Sequence, residues 1–264
     1  MSASAAAAKA SAAPAGGALV WLRSALFNLG FYMLTAAMAL GALPLLLAPR
    51  RWLIAVMRLW ARMVLGMLRG ICGIRFRLEG AEHLPPPGAA ALIAAKHQSA
   101  FDTIVWLALL PDAAYVLKRE LLHIPLYGQL AQKAGMIAVD RSAGASAMRA
   151  LLRGGREAAA AGRQIVIFPE GTRVAPGRRV PYQPGIAALA AATGLPVIPA
   201  ATDSGLCWGR RAFRKPPGLI TLHILAPLPA TMRREPLMQA LEDRIEAETD
   251  RLLGIDRAVD KLVD

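Results

Sequence analysis

Residues 90–110 read AALIAAKHQSAFDTIVWLALL, and this stretch decides the fold. Residues 90–95 form a short apolar run closed by polar residues, the pattern of a strand buried on both faces. The segment Lys96-His97-Gln98-Ser99-Ala100-Phe101-Asp102 follows, and then apolar residues that predict a helix over 100–110. Ser99, with Asp102 three positions later, predicts a helix N-cap and its reciprocal partner. His97 then lies just outside the helix and Asp102 in its first turn.

Outward from this unit the texture repeats. Strands are predicted at 74–79, 90–95, 114–118, 136–139, 164–168, 196–201 and 219–225. Helices are predicted at 100–110, 125–134, 143–161, 184–193 and 235–253. The alternation predicts an α/β fold with a mixed, largely parallel sheet flanked by helices.

Upstream the pattern differs. Residues 1–18 are mostly Ala, Ser, Gly and Pro, which bury no core, and are read as a disordered tail. Residues 25–48 carry no charge over 24 residues, and roughly 20 suffice to cross a bilayer. Arg23 precedes the run and Arg50 and Arg51 follow it, so the flanking charge picks no orientation. The same symmetry suits a helix that enters one leaflet, turns and returns. In residues 52–71, Arg58, Arg62 and Arg69 share one helical face among Leu, Val, Met and Trp, the pattern of a basic amphipathic helix at a membrane interface. Pro44 marks the break between the two helices. The expected organisation is a tail at 1–18, an N-terminal two-helix membrane-anchoring motif at 19–72 and an α/β domain at 73–264.

Composition agrees. Hydrophobic residues make up 55% of the 264 residues. Mean hydropathy is +0.40, high for a soluble domain. The net charge of +13 favours anionic partners: nucleic acid, acidic headgroups or an acidic carrier protein. The apolar N-terminal third turns that choice toward membrane. Arg210, Arg211, Arg214 and Lys215, with Trp208 and Phe213 among them, form a basic cluster unaccompanied by any nucleic-acid motif. Cys72 and Cys207 lack a CxxC pair or zinc-ligand spacing and read as small core residues.

Several segments carry candidate chemistry. Across a loop-to-helix boundary Asp102 can fold back onto His97, fix its tautomer and leave the other ring nitrogen to take a proton. A satisfied histidine beside a capping aspartate is the alternative. Phe168-Pro169-Glu170-Gly171-Thr172-Arg173 ends a strand, where ligands of open α/β sheets bind. There Gly171 permits a tight turn, Thr172 offers a hydroxyl and Arg173 a planar fork for phosphate or carboxylate. Glu170 is suited to orienting an arginine or a substrate hydroxyl. Gly135–Arg141 delivers Arg141 as a second anion ligand at another strand end, and Lys118 offers a third cation. Leu195-Pro196-Val197-Ile198-Pro199 shapes a wall. No G-x-S-x-G nucleophile elbow occurs, so Ser99 beside His97 is the residue to weigh for a hydrolase. His83, His123 and His223 have no carboxylate at a recognisable spacing.

KHQSAFD resembles the HxxxxD motif of the glycerolipid acyltransferase family, and GMIAVDR, FPEGTR and LPVIP resemble its other blocks, in the same order, across roughly residues 75–226. Lys96 stands where the family pattern usually has Asn. By length, by the FPEGTR block and by the apolar N-terminus, the chain is most similar to the bacterial 1-acyl-sn-glycerol-3-phosphate acyltransferases. The resemblance implies that His97 deprotonates the sn-2 hydroxyl of lysophosphatidic acid, which attacks an acyl thioester without an acyl-enzyme. It implies that Arg141 and Arg173, with Lys118, hold the acceptor phosphate, and that Glu170, Gly171 and Thr172 complete the acceptor site. Backbone N–H groups of residues 98–101 are expected to stabilise the oxyanion. The implied donor is acyl-ACP or acyl-CoA, with no tightly bound cofactor, no metal and no nucleic acid. The implied place is the cytoplasmic membrane, with the site facing the cytoplasm. Another lysolipid, such as a lyso-ornithine lipid, remains the alternative acceptor.

Overall fold

The computed structural model describes residues 17–256. In chain order the elements are α1 (Gly17–Gly41), α2 (Arg50–Met67), β1 (Ile74–Glu79), β2 (Ala91–Ala95), α3 (Phe101–Leu109), β3 (Ala113–Lys118), α4 (Tyr127–Lys133), β4 (Ile137–Val139), α5 (Gly144–Ala160), β5 (Gln164–Ile167), α6 (Gly185–Thr193), β6 (Val197–Thr202), β7 (Gly218–Ile224) and α7 (Arg234–Leu253). The strands form one seven-stranded sheet in the order β1-β7-β6-β2-β5-β3-β4. Only β6 and β7 pair antiparallel. The mixed, largely parallel α/β architecture expected from the strand–helix alternation is therefore present, and the seven strand boundaries shift by at most one residue.

Side-chain alternation along β2 assigns the two faces. Ala91, Ile93 and Ala95 pack with Phe27 of α1, Ala61 and Val64 of α2, and Phe101, Ile104 and Val105 of α3. Leu92 and Ala94 pack with Leu151 and Ala158 of α5, Ile186 and Leu189 of α6, and Leu237, Leu241 and Ile245 of α7. The sheet is thus buried between two helical layers, which is why β2, β5 and β6 are largely apolar on both faces. The N-terminal helices share a core with the sheet and form one of those layers.

The N-terminus departs from expectation in detail. Of the tail assigned to 1–18, residues 1–16 lie outside the described residues, and Gly17 and Ala18 already belong to α1. The uncharged run 25–48 is not one helix. α1 starts at Gly17, contains Arg23 and stops at Gly41; Pro44 sits in a short 3₁₀ turn, Leu43–Leu46, between the two helices, where the break was expected. α2 continues as a π turn, Leu68–Cys72, ended by Gly73 in the left-handed conformation. The two helices fold back on each other, with Trp60 Nε1 donating to Thr35 Oγ1 at 3.1 Å. α1 is long and apolar enough to cross a membrane by length and composition. It buries only the stripe of Val20, Ser24 and Phe27 and leaves Leu19, Trp21, Leu22, Leu26, Leu29, Tyr32 and Met33 exposed. The outer face of α2 mixes Trp52, Leu59 and Met63 with Arg62, and Arg69 is exposed in the π turn that follows. Arg50 turns inward instead, where it and Arg163 both pair with Asp112 and lock α2 to the amino edge of the sheet.

Candidate active site

β2, β3, β4, β5 and β6 run in one direction, so their carboxyl ends share an edge. His97, the 168–174 turn, Lys118 and Arg141 all follow those ends. At the end of β2 the alternation continues: Lys96 projects toward the α7 layer and His97 toward α3. The turn into α3 then folds Asp102 back. Its Oδ2 accepts from Gln98 N and Ser99 N, each at 2.7 Å, and lies 3.1 Å from His97 Nδ1. The five-residue spacing that would separate the two side chains on a continuous helix is thus closed by the turn. Both residues are buried, with His97 retaining 8% exposure. The His97 ring stacks on Phe168, with centroids 4.0 Å apart, and Tyr115 also stacks against Phe168, with centroids 6.2 Å apart.

The helix starts one residue later than the capping pattern predicted, with Ala100 in the cap position. The reciprocal pair is nevertheless made. Ser99 Oγ accepts from Phe101 N at 3.1 Å while Ser99 N donates to Asp102. Ser99 is fully buried in this role, which does not suit a nucleophile. Of the backbone N–H groups of residues 98–101 expected to serve an oxyanion, those of Gln98, Ser99 and Phe101 are engaged by Asp102 and Ser99.

The FPEGTR turn clamps the backbone of His97 from both sides. Glu170 Oε2 accepts from His97 N at 2.7 Å, and Val174 N donates to His97 O at 2.8 Å. Gly171 turns the chain with φ +67°, a left-handed conformation that favours glycine. Arg141 Nη1 donates to Gly171 O, so the arginine from β4 reaches the turn after β5. Arg173 is half-buried and Thr172 exposed in the same turn. Lys118 is exposed and pairs in register with Val139, two residues before Arg141. The structure thus joins Arg141, Glu170 and Gly171 to His97 by contacts, and places Lys118, Thr172 and Arg173 along the same edge.

Glu170 is the most perturbed acid of the site. Burial pushes its carboxyl up to about 7, against the opposing pull of Lys96 and the His97 N–H. Its Oε1 lies 2.8 Å from Lys96 Nζ, which also reaches Glu246 Oε1 of α7 at 2.6 Å. Tyr182 OH donates to the same Glu246 oxygen at 2.8 Å. Sequence motifs did not single out Tyr182 and Glu246, and marked Lys96 only as standing where the family pattern usually has Asn. The available signal was weak: a helical period through Leu241, Ile245 and Thr249 carries Glu246 onto the buried stripe of α7. Gln98 is likewise tied at long range, accepting from Gly205 N at 3.0 Å.

His223 also differs from the sequence reading. Its Nδ1 lies 2.6 Å from Glu248 Oε1, a partner supplied by α7 rather than by local spacing. Glu79 joins them, and Arg251 pairs with both carboxylates. Cys72 and Cys207 are buried in the core beside the N-terminal helices and are not joined in a disulfide, as small core residues.

A family model described as Acyltransferase matches residues 75–203, the segment containing these turns. The chain is 34% identical over 223 residues to the 1-acyl-sn-glycerol-3-phosphate acyltransferase of Pseudomonas aeruginosa, covering 82% of this chain and 86% of that one. It is 32% identical over 200 residues to the enzyme of the same name from Limnanthes douglasii, covering 74% and 70%. In fold it resembles the crystal structure of the 1-acyl-sn-glycerophosphate acyltransferase of Thermotoga maritima, with a TM-score of 0.73 at 20% identity over 88% of this chain and 96% of that one. Identity and coverage at this level, over a segment that holds the His97–Asp102 pair and the turn clamping it, show that the chain belongs to the glycerolipid acyltransferase family.

Proposed function

We propose that the chain moves an acyl group from a thioester to the sn-2 hydroxyl of 1-acyl-sn-glycerol-3-phosphate, giving phosphatidic acid. The observation that carries this reading is the fixed His97–Asp102 pair, whose 3.1 Å contact occupies Nδ1 and leaves Nε2 as the proton acceptor. His97 takes the hydroxyl proton as the oxygen attacks the thioester carbonyl. The tetrahedral intermediate then collapses, the C–S bond breaks, and the imidazolium returns the proton to the thiolate. Asp102 holds the ring and stabilises its cationic form. Arg141 and Arg173 hold the acceptor phosphate, with Lys118 adding charge at the rim. Glu170 holds the His97 backbone, and Gly171 and Thr172 shape the acceptor side of the turn. The names of the Pseudomonas and Limnanthes relatives support this acceptor.

The donor is an acyl-ACP or acyl-CoA thioester; a net charge of +13 suits either anionic donor and an anionic leaflet. The exposed apolar face of α1 and the mixed face of α2 support a membrane-bound enzyme. Its site faces the cytoplasm, where thioesters are made. The test is transfer of a labelled acyl group to lysophosphatidic acid, compared with lyso-ornithine lipid and other lysolipids. Wild type prefers lysophosphatidic acid, His97→Ala loses at least about 100-fold, and Arg173→Ala mainly loses acceptor affinity. Activity confined to a zwitterionic acceptor would refute the reading.

A further inference from the structure

The catalytic turn is gripped from a third side, by the last helix. Lys96 is 1% exposed, and its ammonium sits between two carboxylates, Glu170 at 2.8 Å and Glu246 at 2.6 Å. The side chains of those glutamates are 0% and 3% exposed. Such burial of charge is tolerated only when each group is paired. Glu170 Oε1 meets the ammonium as an ion pair without a hydrogen bond, and the remaining groups facing the cluster gather on Glu246. Tyr182 donates to Glu246 Oε1, and Arg179 Nε lies 3.6 Å from Glu246 Oε2 while the same guanidinium pairs with Asp250. Glu170 spends its other oxygen on His97 N. A continuous path therefore runs from α7 through Glu246, Lys96 and Glu170 to the backbone of His97. It crosses the sheet edge, because alternation sends Lys96 and His97 to opposite layers.

We infer that Lys96 and Glu246 are positioning residues for acyl transfer: together they hold the Glu170 carboxylate against the His97 amide and so fix the direction of the imidazole. Lys96 alone would leave Glu170 free to swing with it toward the sheet edge. Glu246, carried on a 20-residue helix packed against the sheet, gives the ammonium a rigid anchor. Asp102 fixes the ring through its side chain, and this path fixes it through the backbone, so the imidazole is restrained from both ends.

The inference rests on the acyl-transfer reading, and its test separates the two. Full-length enzyme in detergent micelles is assayed with an acyl thioester and lysophosphatidic acid. Glu246→Gln keeps the side-chain shape and leaves Lys96 its contact with Glu170. Its kcat falls at least about fivefold with both KM values within about twofold, as expected for a loss of orientation rather than of binding. The His97 imidazole resonances in the NMR spectrum move as well, although residue 246 is far along the chain. Lys96→Asn falls further, and adding Glu246→Gln to it recovers part of kcat, because the second change removes a buried negative charge that the first deprives of its ammonium. A folded Glu246→Gln with wild-type kcat and unmoved His97 resonances overturns the inference. If that variant does not fold, Glu246→Asp decides, since it keeps the charge but draws it back from Lys96; wild-type kcat there overturns it equally. A wild type that acylates no lysophosphatidic acid, with His97 resonances that still respond to Glu246→Gln, sinks the acceptor assignment and leaves the positioning role standing.

Discussion

Asp102→Asn is the most informative perturbation of the site. Oδ2 accepts from Gln98 N and Ser99 N, each at 2.7 Å, and meets His97 Nδ1 at 3.1 Å. An asparagine oxygen can occupy the same position and keep all three contacts, so the turn survives. What is lost is charge. Each backbone bond weakens from a charged to a neutral acceptor, about 1 kcal/mol apiece, for about 2 kcal/mol of stability. That is well below the roughly 5–15 kcal/mol that holds a domain together. The catalytic loss is larger. A carboxylate about 4 Å from the charge centre of an imidazolium, at an effective dielectric of about 20, contributes about 4 kcal/mol, or roughly 1,000-fold in rate. Solvent at the partly open ring trims this, so kcat falls about 100- to 1,000-fold with KM unchanged. Initial rates of thiol release from the acyl donor measure it, with a thermal melt to show that the variant is folded. A folded Asp102→Asn that keeps more than about a tenth of wild-type kcat would refute the orienter–base assignment.

Removing the guanidinium with Arg141→Ala raises KM for the lysolipid about 10- to 100-fold, the worth of a charged hydrogen bond, while kcat stays within about threefold; acceptor titrations measure both. Gly171→Ala forces a side chain into φ +67° and sets its Cβ 3.2 Å from Arg141 Nη1. The left-handed strain costs about 1–2 kcal/mol, seen as a Tm lower by about 2–8 °C, with weakened acceptor binding. Glu170 is raised from 4.5 to about 7, so below 4.5 its proton is held in both states and above that the unfolded chain releases it first. The stability this lends is present at low pH and is lost as pH rises through about 7, by about 3 kcal/mol in all. Melts from acid to neutral pH show wild type losing stability relative to Glu170→Gln, and parallel curves would refute the shift. Replacing Leu22, Leu26 and Leu29 together with Gln removes apolar contact worth about 0.8 kcal/mol per buried CH₂, so vesicle sedimentation falls at least about tenfold while the fold, which those side chains do not support, is kept.

The amino-acid sequence determined by itself whatever depends on local periodicity and local turns. Apolar runs such as 90–95 and 165–168 marked strands covered on both faces, and the reciprocal Ser99–Asp102 spacing marked the start of α3 to within one residue, while leaving open whether the carboxylate meets His97. The FPEGTR turn was legible because Gly171 and its polar neighbours follow a strand at once. The bounds of α1 were less so: Pro44 marked the break between the two helices, but the uncharged run 25–48 could not show that the helix begins at Gly17 and stops at Gly41.

Only the tertiary structure decided the contacts between residues distant in sequence. Strand order brings the turn after β5 beside the turn after β2, which is what lets Glu170 and Val174 clamp the His97 backbone. It also brings Glu246 to Lys96 across 150 positions and Glu248 to His223 across 25. Periodicity tells a side chain which layer it enters, but not which residue of that layer it meets; that is fixed by how whole elements pack, and packing is a property of the assembled sheet.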